Sequence, residues 1–367
     1  MPLSKIDEAG LASGAQFIGF KNRIINGAMV IDQRNAGATL TPTSTATYTL
    51  DRWSALLSVS SKFSVQQNAG SVTPPAGFKN YLSATSLSAY SVGASEIFSL
   101  RQTIEGFNIA DLGWGAAGAA TITLSFWVRS SLTGTFGGAL NSPGNSYSYP
   151  FTFAISVANT WEQKTVTIAG PTAGTWGSTN GSGVGVIFNL GAGATFSGTA
   201  GAWVASDLYS ATGAVSVVGT NGATFYVTGV QLEKGSTATS FDYRPYGTEL
   251  VLCQRYYYRL SPAFDSRMLA FGGQAYASTG ALVYVPFPVT MRTRPTSLEQ
   301  SGTASDYHLF NAGTSALTLT SVPVFAGSTT NSMAMVDCTV STGLIAGYAT
   351  ALRTNSANGY LGFSAEL

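Results

Sequence analysis

Between 121 and 128 the chain reads TITLSFWV, which puts Ile122, Leu124, Phe126 and Val128 on one side of an extended strand and Thr121, Thr123 and Ser125 on the other. Alternation with a period of two suits a β-strand with one face on a core, and it does not match the period of about 3.6 that a helix requires. Trp127 breaks the pattern and is expected to pack under a loop or at an interface. Runs rich in Val, Ile, Thr, Phe, Tyr and Trp recur at 161–168, 184–190, 224–232, 281–285, 315–324 and 333–340, with Gly, Asn, Ser and Pro between them. Together with the lack of a long amphipathic helical pattern, this predicts an all-β fold of two β-sandwich, jelly-roll-like domains.

Residues 22–246 have a length that suits one large sandwich, opening with NRIINGAMVIDQRNAG and closing with QLEKGSTATSFDYRPYG. Composition changes after Gly247, so 247–367 is read as a second, smaller sandwich, joined by a short Pro- and Gly-containing connector open to proteases between Tyr246 and Arg255. Residues 1–21 are too few to bury a core and read as an N-terminal arm.

Charge decides what such a chain can bind. Charged residues are 10% of the total against roughly 25% in ordinary soluble domains, and the net charge is +1. No basic field exists to hold a phosphate backbone, so nucleic acid is not an expected partner. Gly, Ser, Thr and Asn interrupt every hydrophobic run, so membrane insertion is not expected either, and the first twenty residues lack the apolar core of an export signal.

Catalytic signals are sparse. Cys253 and Cys338 form no CxxC pair, and His308 is the sole histidine. GWGAAG satisfies GxGxxG through Gly113, Gly115 and Gly118, but it precedes a strand where a phosphate loop would open a helix, so it reads as a turn. GxSxG, HExxH and the P-loop are absent. Among the acids, Asp32 near Arg34 and Asp51 beside Arg52 read as salt-bridge partners, while Asp207 and others are dispersed. The expectation is a protein that is not an enzyme.

Loop aromatics are the stronger functional signal, because sugar faces stack on rings and sugar hydroxyls bond amides without needing a charged surface. The loop 141–150 offers Tyr147 and Tyr149, and the loop 170–182 offers Trp176 with Asn180 nearby. These four are the candidate glycan-binding residues. The same rings would serve equally to plug a sandwich end or to pack across subunits.

NRIINGAMVIDQRNAG, DRW at 51–53, GVQLEKGSTATSFDYRPYGTEL, CQRYYYR at 253–259, VPFPVTMRTRPT at 285–296 and the terminal FSAEL together resemble a family of tailed-phage and prophage fibre proteins. Within the first unit, an early NG, a Trp and a late QLE strand are similar to the jelly rolls of carbohydrate-binding modules. LSKIDEAGLASGA resembles segments near the N-terminal attachment region of phage tail proteins, which would make residues 1–21 a virion-docking arm.

The resemblance implies a virion protein, assembled in the bacterial host cytoplasm, that acts as a tail fibre or spike in host-surface glycan recognition and adsorption. It also implies a homotrimer whose arm meets other virion proteins. Tyr256 to Tyr258 and Phe287 are the interface candidates, and their alternation in a strand could equally serve the domain core. A capsid- or baseplate-decorating protein without receptor binding is the alternative, and a polysaccharide depolymerase the second, although no β-helix repeat is visible. No cofactor is expected beyond a structural calcium of the kind those modules often carry, for which Asn26, Asp51, Glu233 and Asp242 are the candidate oxygen donors.

Overall fold

The structure, a computed structural model, describes residues 21–261, 268–311 and 316–367. Apart from Lys21, the N-terminal docking arm lies outside the described residues. The chain divides into two compact units, the first reaching Glu249 and the second running over Leu250–Glu366.

Both units are built of β-strands. In the first unit the strands are β1 (Thr47–Leu50), β2 (Trp53–Leu57), β3 (Phe63–Gln67), β4 (Leu82–Ser86), β5 (Ile97–Glu105), β6 (Ile122–Ser130), β7 (Gly134–Asn141), β8 (Ser148–Ile155), β9 (Glu162–Ile168), β10 (Ser182–Ala192), β11 (Ser197–Gly198), β12 (Ser210–Ala211) and β13 (Thr224–Lys234). They form a six-stranded sheet in the order β1-β2-β5-β10-β7-β8 and a five-stranded sheet in the order β3-β4-β13-β6-β9, with β11 and β12 paired separately. The apolar sides of the two sheets meet in one core, a jelly-roll-type sandwich. Ile122, Leu124, Phe126 and Val128 of β6 are fully buried and face Val184, Val186, Phe188 and Leu190 of β10, with the Phe126 and Phe188 rings edge to face at 4.9 Å. Each such side chain contributes about 1.5–3 kcal/mol on leaving water.

The solvent face expected of β6 is covered. Thr123 and Ser125 are buried because the chain leaving β13 folds back over them, Thr123 Oγ1 donating to the Gly235 carbonyl at 2.8 Å. Residues 183–191 of β10 are buried on both faces, since the chain from 193 onward returns over the outer side of the six-stranded sheet. Alternation reports one core face, and these strands have a second cover supplied by irregular chain.

The segment before β1 is held by side chains. Asn22 donates Nδ2 to the Val230 carbonyl at 3.0 Å and accepts from the amides of Ile24 and Leu232. Gly27 follows because a Cβ there would stand 2.2 Å from the Val230 carbonyl oxygen, a backbone contact that cannot yield. Asp32 accepts from the amides of Asn35 at 2.9 Å and Gly37 at 2.7 Å, so it closes its own loop instead of pairing with Arg34.

Arg23 is buried and grips Asp111 through both guanidinium nitrogens, at 2.6 and 2.8 Å. Those bonds hold the Asp111 carboxyl below its ordinary value. A depressed folded pKa means the pair stabilises above the unfolded carboxylate range, and the gain is lost as pH falls through the folded value. Asp111→Asn should therefore cost about 1 kcal/mol near neutrality, reduced from a buried pair's worth because Asp111 is 49% exposed. In denaturant melts, wild type and variant should converge as the pH drops below the carboxylate range; a constant gap at all pH values would contradict it.

Where the sequence predicts a loose connector, residues Tyr246–Gln254 form the helix α1, whose first turn is closed by the Glu249 amide on the Pro245 carbonyl at 3.0 Å. Proline tolerates a helix start, having no amide to lose there. The second unit contains β14 (Tyr257–Leu260), β15 (Met268–Ala275), β16 (Gly280–Pro286), β17 (Ser297–Gln300), β18 (Tyr307–Asn311), β19 (Leu317–Thr318), β20 (Val324–Phe325), β21 (Met333–Thr339), β22 (Ala349–Thr354) and β23 (Leu361–Ser364). The strands form sheets ordered β14-β23-β17 and β19-β18-β22-β15-β16-β21-β20 around a separate core.

Two expectations need correction in this unit. The described part of the 315–324 run is not one strand: β19 and β20 sit at opposite edges of the larger sheet, and Pro323 just before β20 has no amide for a central ladder. Tyr256 and Tyr257 are fully buried within the chain, and Tyr258 and Phe287 pack on Phe363 at 6.2 and 5.1 Å. Tyr256 and Tyr257 present no surface to a second subunit, whereas Tyr258 and Phe287 pack against the second core and keep part of theirs in water.

Candidate functional site

Loops separated widely in sequence converge on Trp203. They are stitched by backbone bonds: the Gly115 amide to the Pro171 carbonyl at 2.8 Å, Phe107 to Thr179 at 2.9 Å, Gly201 to Pro150 at 2.9 Å, and Ser148 with Val204 reciprocally at 2.9 Å. The Trp203 indole N–H donates to the Ala169 carbonyl at 2.7 Å, which fixes the ring's orientation.

Four rings surround it. Tyr147 lies parallel to Trp203 at 5.9 Å and 10°, Tyr149 is tilted at 5.3 Å, and Trp176 and Trp114 meet it edge-on at 5.2 and 5.7 Å. Trp114 and Trp176 contact each other at 4.8 Å. Offset and edge-to-face arrangements satisfy the ring quadrupoles and contribute about 0.5–1.5 kcal/mol per pair beyond burial. Trp114 is buried, while Tyr147, Tyr149, Trp176 and Trp203 are half-buried, each keeping part of its surface in water. Gly174 permits the packing: its φ is +88°, and a Cβ there would come within 3.2 Å of the Tyr147 ring.

The structure thus brings together Tyr147, Tyr149 and Trp176, three of the four candidates. Asn180 lies exposed on the Trp176 loop, next to Thr179. Trp114 and Trp203 were missed. Their signal resembles that of Trp176: GWG at 113–115 and AWV at 202–204 place a tryptophan among small residues in turn-rich chain. In GWGAAG the glycine spacing, which reads as a turn, is a stronger signal than the tryptophan it encloses. Its glycines do form turns, Gly113, Gly115 and Gly118 all having positive φ.

Burial raises the pKa of Tyr149, and burial also raises the Asp207 carboxyl beside the cluster, against the lowering influence of Tyr209 and Arg101.

The calcium candidates do not form one site. Asn26 is spent on backbone, its Nδ2 donating to the carbonyls of Ile31 at 2.8 Å and Asp51 at 3.0 Å and its Oδ1 accepting from the Ile31 amide. The Asp51 carboxylate accepts from the Gln33 amide and side chain, at 2.7 and 2.5 Å. Glu233 accepts from Gln231 and from both the amide and hydroxyl of Thr239, and Asp242 faces the Asn22 amide and Arg244. These oxygens are engaged by protein donors, where calcium needs six or more converging oxygens. Among the described residues, no group of three or more His, Cys, Asp or Glu gathers to hold a metal.

No protein-family model matches the chain, and no curated protein matches it in sequence. Among solved structures, it is similar to the enzymatically active domain of tailspike protein 4 from bacteriophage CBA120, at 13% identity and a TM-score of 0.32 over 58% of this chain. The chain spans 21% of that tailspike chain's length. It is also similar to the xylan-binding CBM22-1 domain of Paenibacillus barcinonensis Xyn10C, at 12% identity and TM-score 0.28 over 56% of this chain and 99% of that one. A further similarity is to TmCBM61 in complex with β-1,4-galactotriose, at 11% identity and TM-score 0.30 over 59% of this chain and 99% of that one. The β-sandwich architecture stands on the sheets of this chain themselves.

Proposed function

We propose that the chain is a structural phage virion protein, a tail fibre or spike whose first unit recognises a neutral glycan on the host surface through the rings around Trp203. The observation that carries this reading is the convergence of five aromatic rings from distant loops into one partly solvent-facing group, among small and hydroxylated residues. The sequence resemblance to fibre proteins supports the virion setting. The role proposed is a non-enzymatic one. A homotrimer would raise avidity from contacts that are each weak.

One observation favours a second reading, an architectural protein whose rings only plug the sandwich. The indole N–H groups of Trp114, Trp176 and Trp203 all bond the chain's own carbonyls, and Tyr149, Trp176 and Trp203 pack on the core. Virion adsorption with Trp176→Ala and Tyr147→Ala separates the two. A clear loss in particles that assemble normally supports glycan recognition, and unchanged adsorption in both supports the plug. Host polysaccharide incubated with the protein should keep its chain length, whereas release of reducing ends abolished by Asp207→Asn would establish a depolymerase. Light scattering should return about three times the 38.0 kDa chain mass, and a monomer mass would remove the trimer.

A further inference from the structure

The outer face of the six-stranded sheet carries polar groups that the protein leaves without partners. Leu100, Leu140 and Val186 point into the core, so the neighbouring Arg101, Asn141 and Ile187 point outward. In the sheet Ile187 lies opposite Arg101, and Gly185 lies opposite Asn141. A Cβ at Gly185 would stand 3.5 Å from Arg101 Cδ, so the Arg101 stem lies over this glycine, the cross-strand neighbour of Asn141.

Chain from beyond β10 closes over the same spot. Ser148, the cross-strand partner of Asn141, donates its hydroxyl to the Ser206 carbonyl and accepts from the Leu208 amide at 2.9 Å. Asp207, between those two anchors, is thereby held over the Asn141–Ser148 pair. Asn145 donates to the Tyr209 hydroxyl at 2.8 Å, Tyr209 bonds Asp207, and its ring packs on Leu56 and Ile187. Burial pushes the Tyr209 hydroxyl up to about 12, and Arg101 is near enough to oppose that.

Asn141 is 1% exposed, and neither its amide nitrogen nor its oxygen has a hydrogen-bond partner. Arg101 Nε and Asp207 Oδ1 are also buried without one. Native proteins rarely leave several such atoms together, because each costs the full desolvation of a polar group. The set mixes donors with acceptors. An anion would meet the Asp207 carboxylate and a cation would meet Arg101, whereas a hydroxyl donates and accepts at once.

We propose that Arg101, Asn141 and Asp207 form a subsite for adjacent hydroxyls of a neutral sugar. The proposal rests on the glycan-binding reading above and gives that glycan a polar contact beside the rings: Asn145 is two residues from Tyr147, and Asp207 four from Trp203. The strap 193–211 carries Asp207 itself, so the sugar hydroxyls take the place that a buried water would otherwise fill.

The test uses the full chain on an array of neutral hexose and hexuronate oligosaccharides, comparing wild type with Arg101→Gln, Asp207→Asn and Trp203→Ala after thermal melts confirm folding. The expected result is preference for neutral glycans and a loss of about tenfold or more in both polar variants, the size of one charge-assisted hydrogen bond. Binding intact in both polar variants but lost in Trp203→Ala would overturn the subsite and leave the glycan reading standing. Preference for hexuronates, lost in Arg101→Gln, would overturn the neutral class. No binding by wild type to any glycan would overturn both readings. Should the variants unfold, wild-type crystals soaked with the preferred oligosaccharide decide: a hydroxyl pair between Asn141 and Asp207 supports the subsite, and water alone there overturns it.

Discussion

Asn26→Ala is expected to destabilise the first unit by about 3–5 kcal/mol. Asn26 is fully buried at φ +58°, and its side chain ties the turn after it to the end of β1 through Ile31 and Asp51. Its own carbonyl accepts the Trp53 indole N–H at 3.2 Å, and its amide donates to Glu249. Alanine removes both side-chain donors and the acceptor, leaves buried backbone groups of Ile31 and Asp51 unpaired, and strains a left-handed residue. Asn26→Gly should recover about 1 kcal/mol of that loss, since glycine relieves the backbone term alone. Urea unfolding followed by tryptophan fluorescence reads both. A cost under about 1 kcal/mol for Asn26→Ala would show that the turn is held by other contacts.

Trp203→Ala should have the largest functional effect. Four rings touch Trp203, so its removal frees Tyr147, Tyr149, Trp114 and Trp176 at once and opens a void beside the core. A stability loss of about 2–4 kcal/mol is expected, less than for a fully buried tryptophan because Trp203 is half-exposed. Under the glycan reading, virion adsorption should fall on the order of tenfold or more, further than in Trp176→Ala, because weak contacts act together in a multivalent fibre. Trp203→Phe is the useful comparison. It keeps a ring in place while losing the bond to Ala169, so partial recovery of adsorption would tie the effect to stacking. A folded Trp203→Ala protein with normal adsorption would assign the cluster to architecture.

The fold class was legible because its determinants are local. Alternation at 121–128 marked the inward residues of β6, and the runs at 161–168, 184–190 and 224–232 each contain or lie within an observed strand core. The same local pattern could not reveal that β10 is covered on both faces, since the covering chain arrives from 193 onward and has little periodicity of its own. Nor could it show that Tyr256 and Tyr257 are buried within the chain, because a run of tyrosines reads alike at an interface and beneath a sheet.

The candidate site divides in the same way. Tyr147, Tyr149 and Trp176 stood out as rings among small loop residues, a property of composition within a few positions. That they share a hub, that Trp114 belongs with them, and that Arg101 comes near Asp207 are consequences of strand register and loop closure across as many as 106 positions. By itself the sequence determined which segments extend, which residues seek a core, and that no strong charge directs the surface, because these follow from side-chain period and chemistry. Tertiary structure alone decided which loops meet and which polar groups are buried without partners, because those depend on how two sheets pack and where returning chain comes to rest.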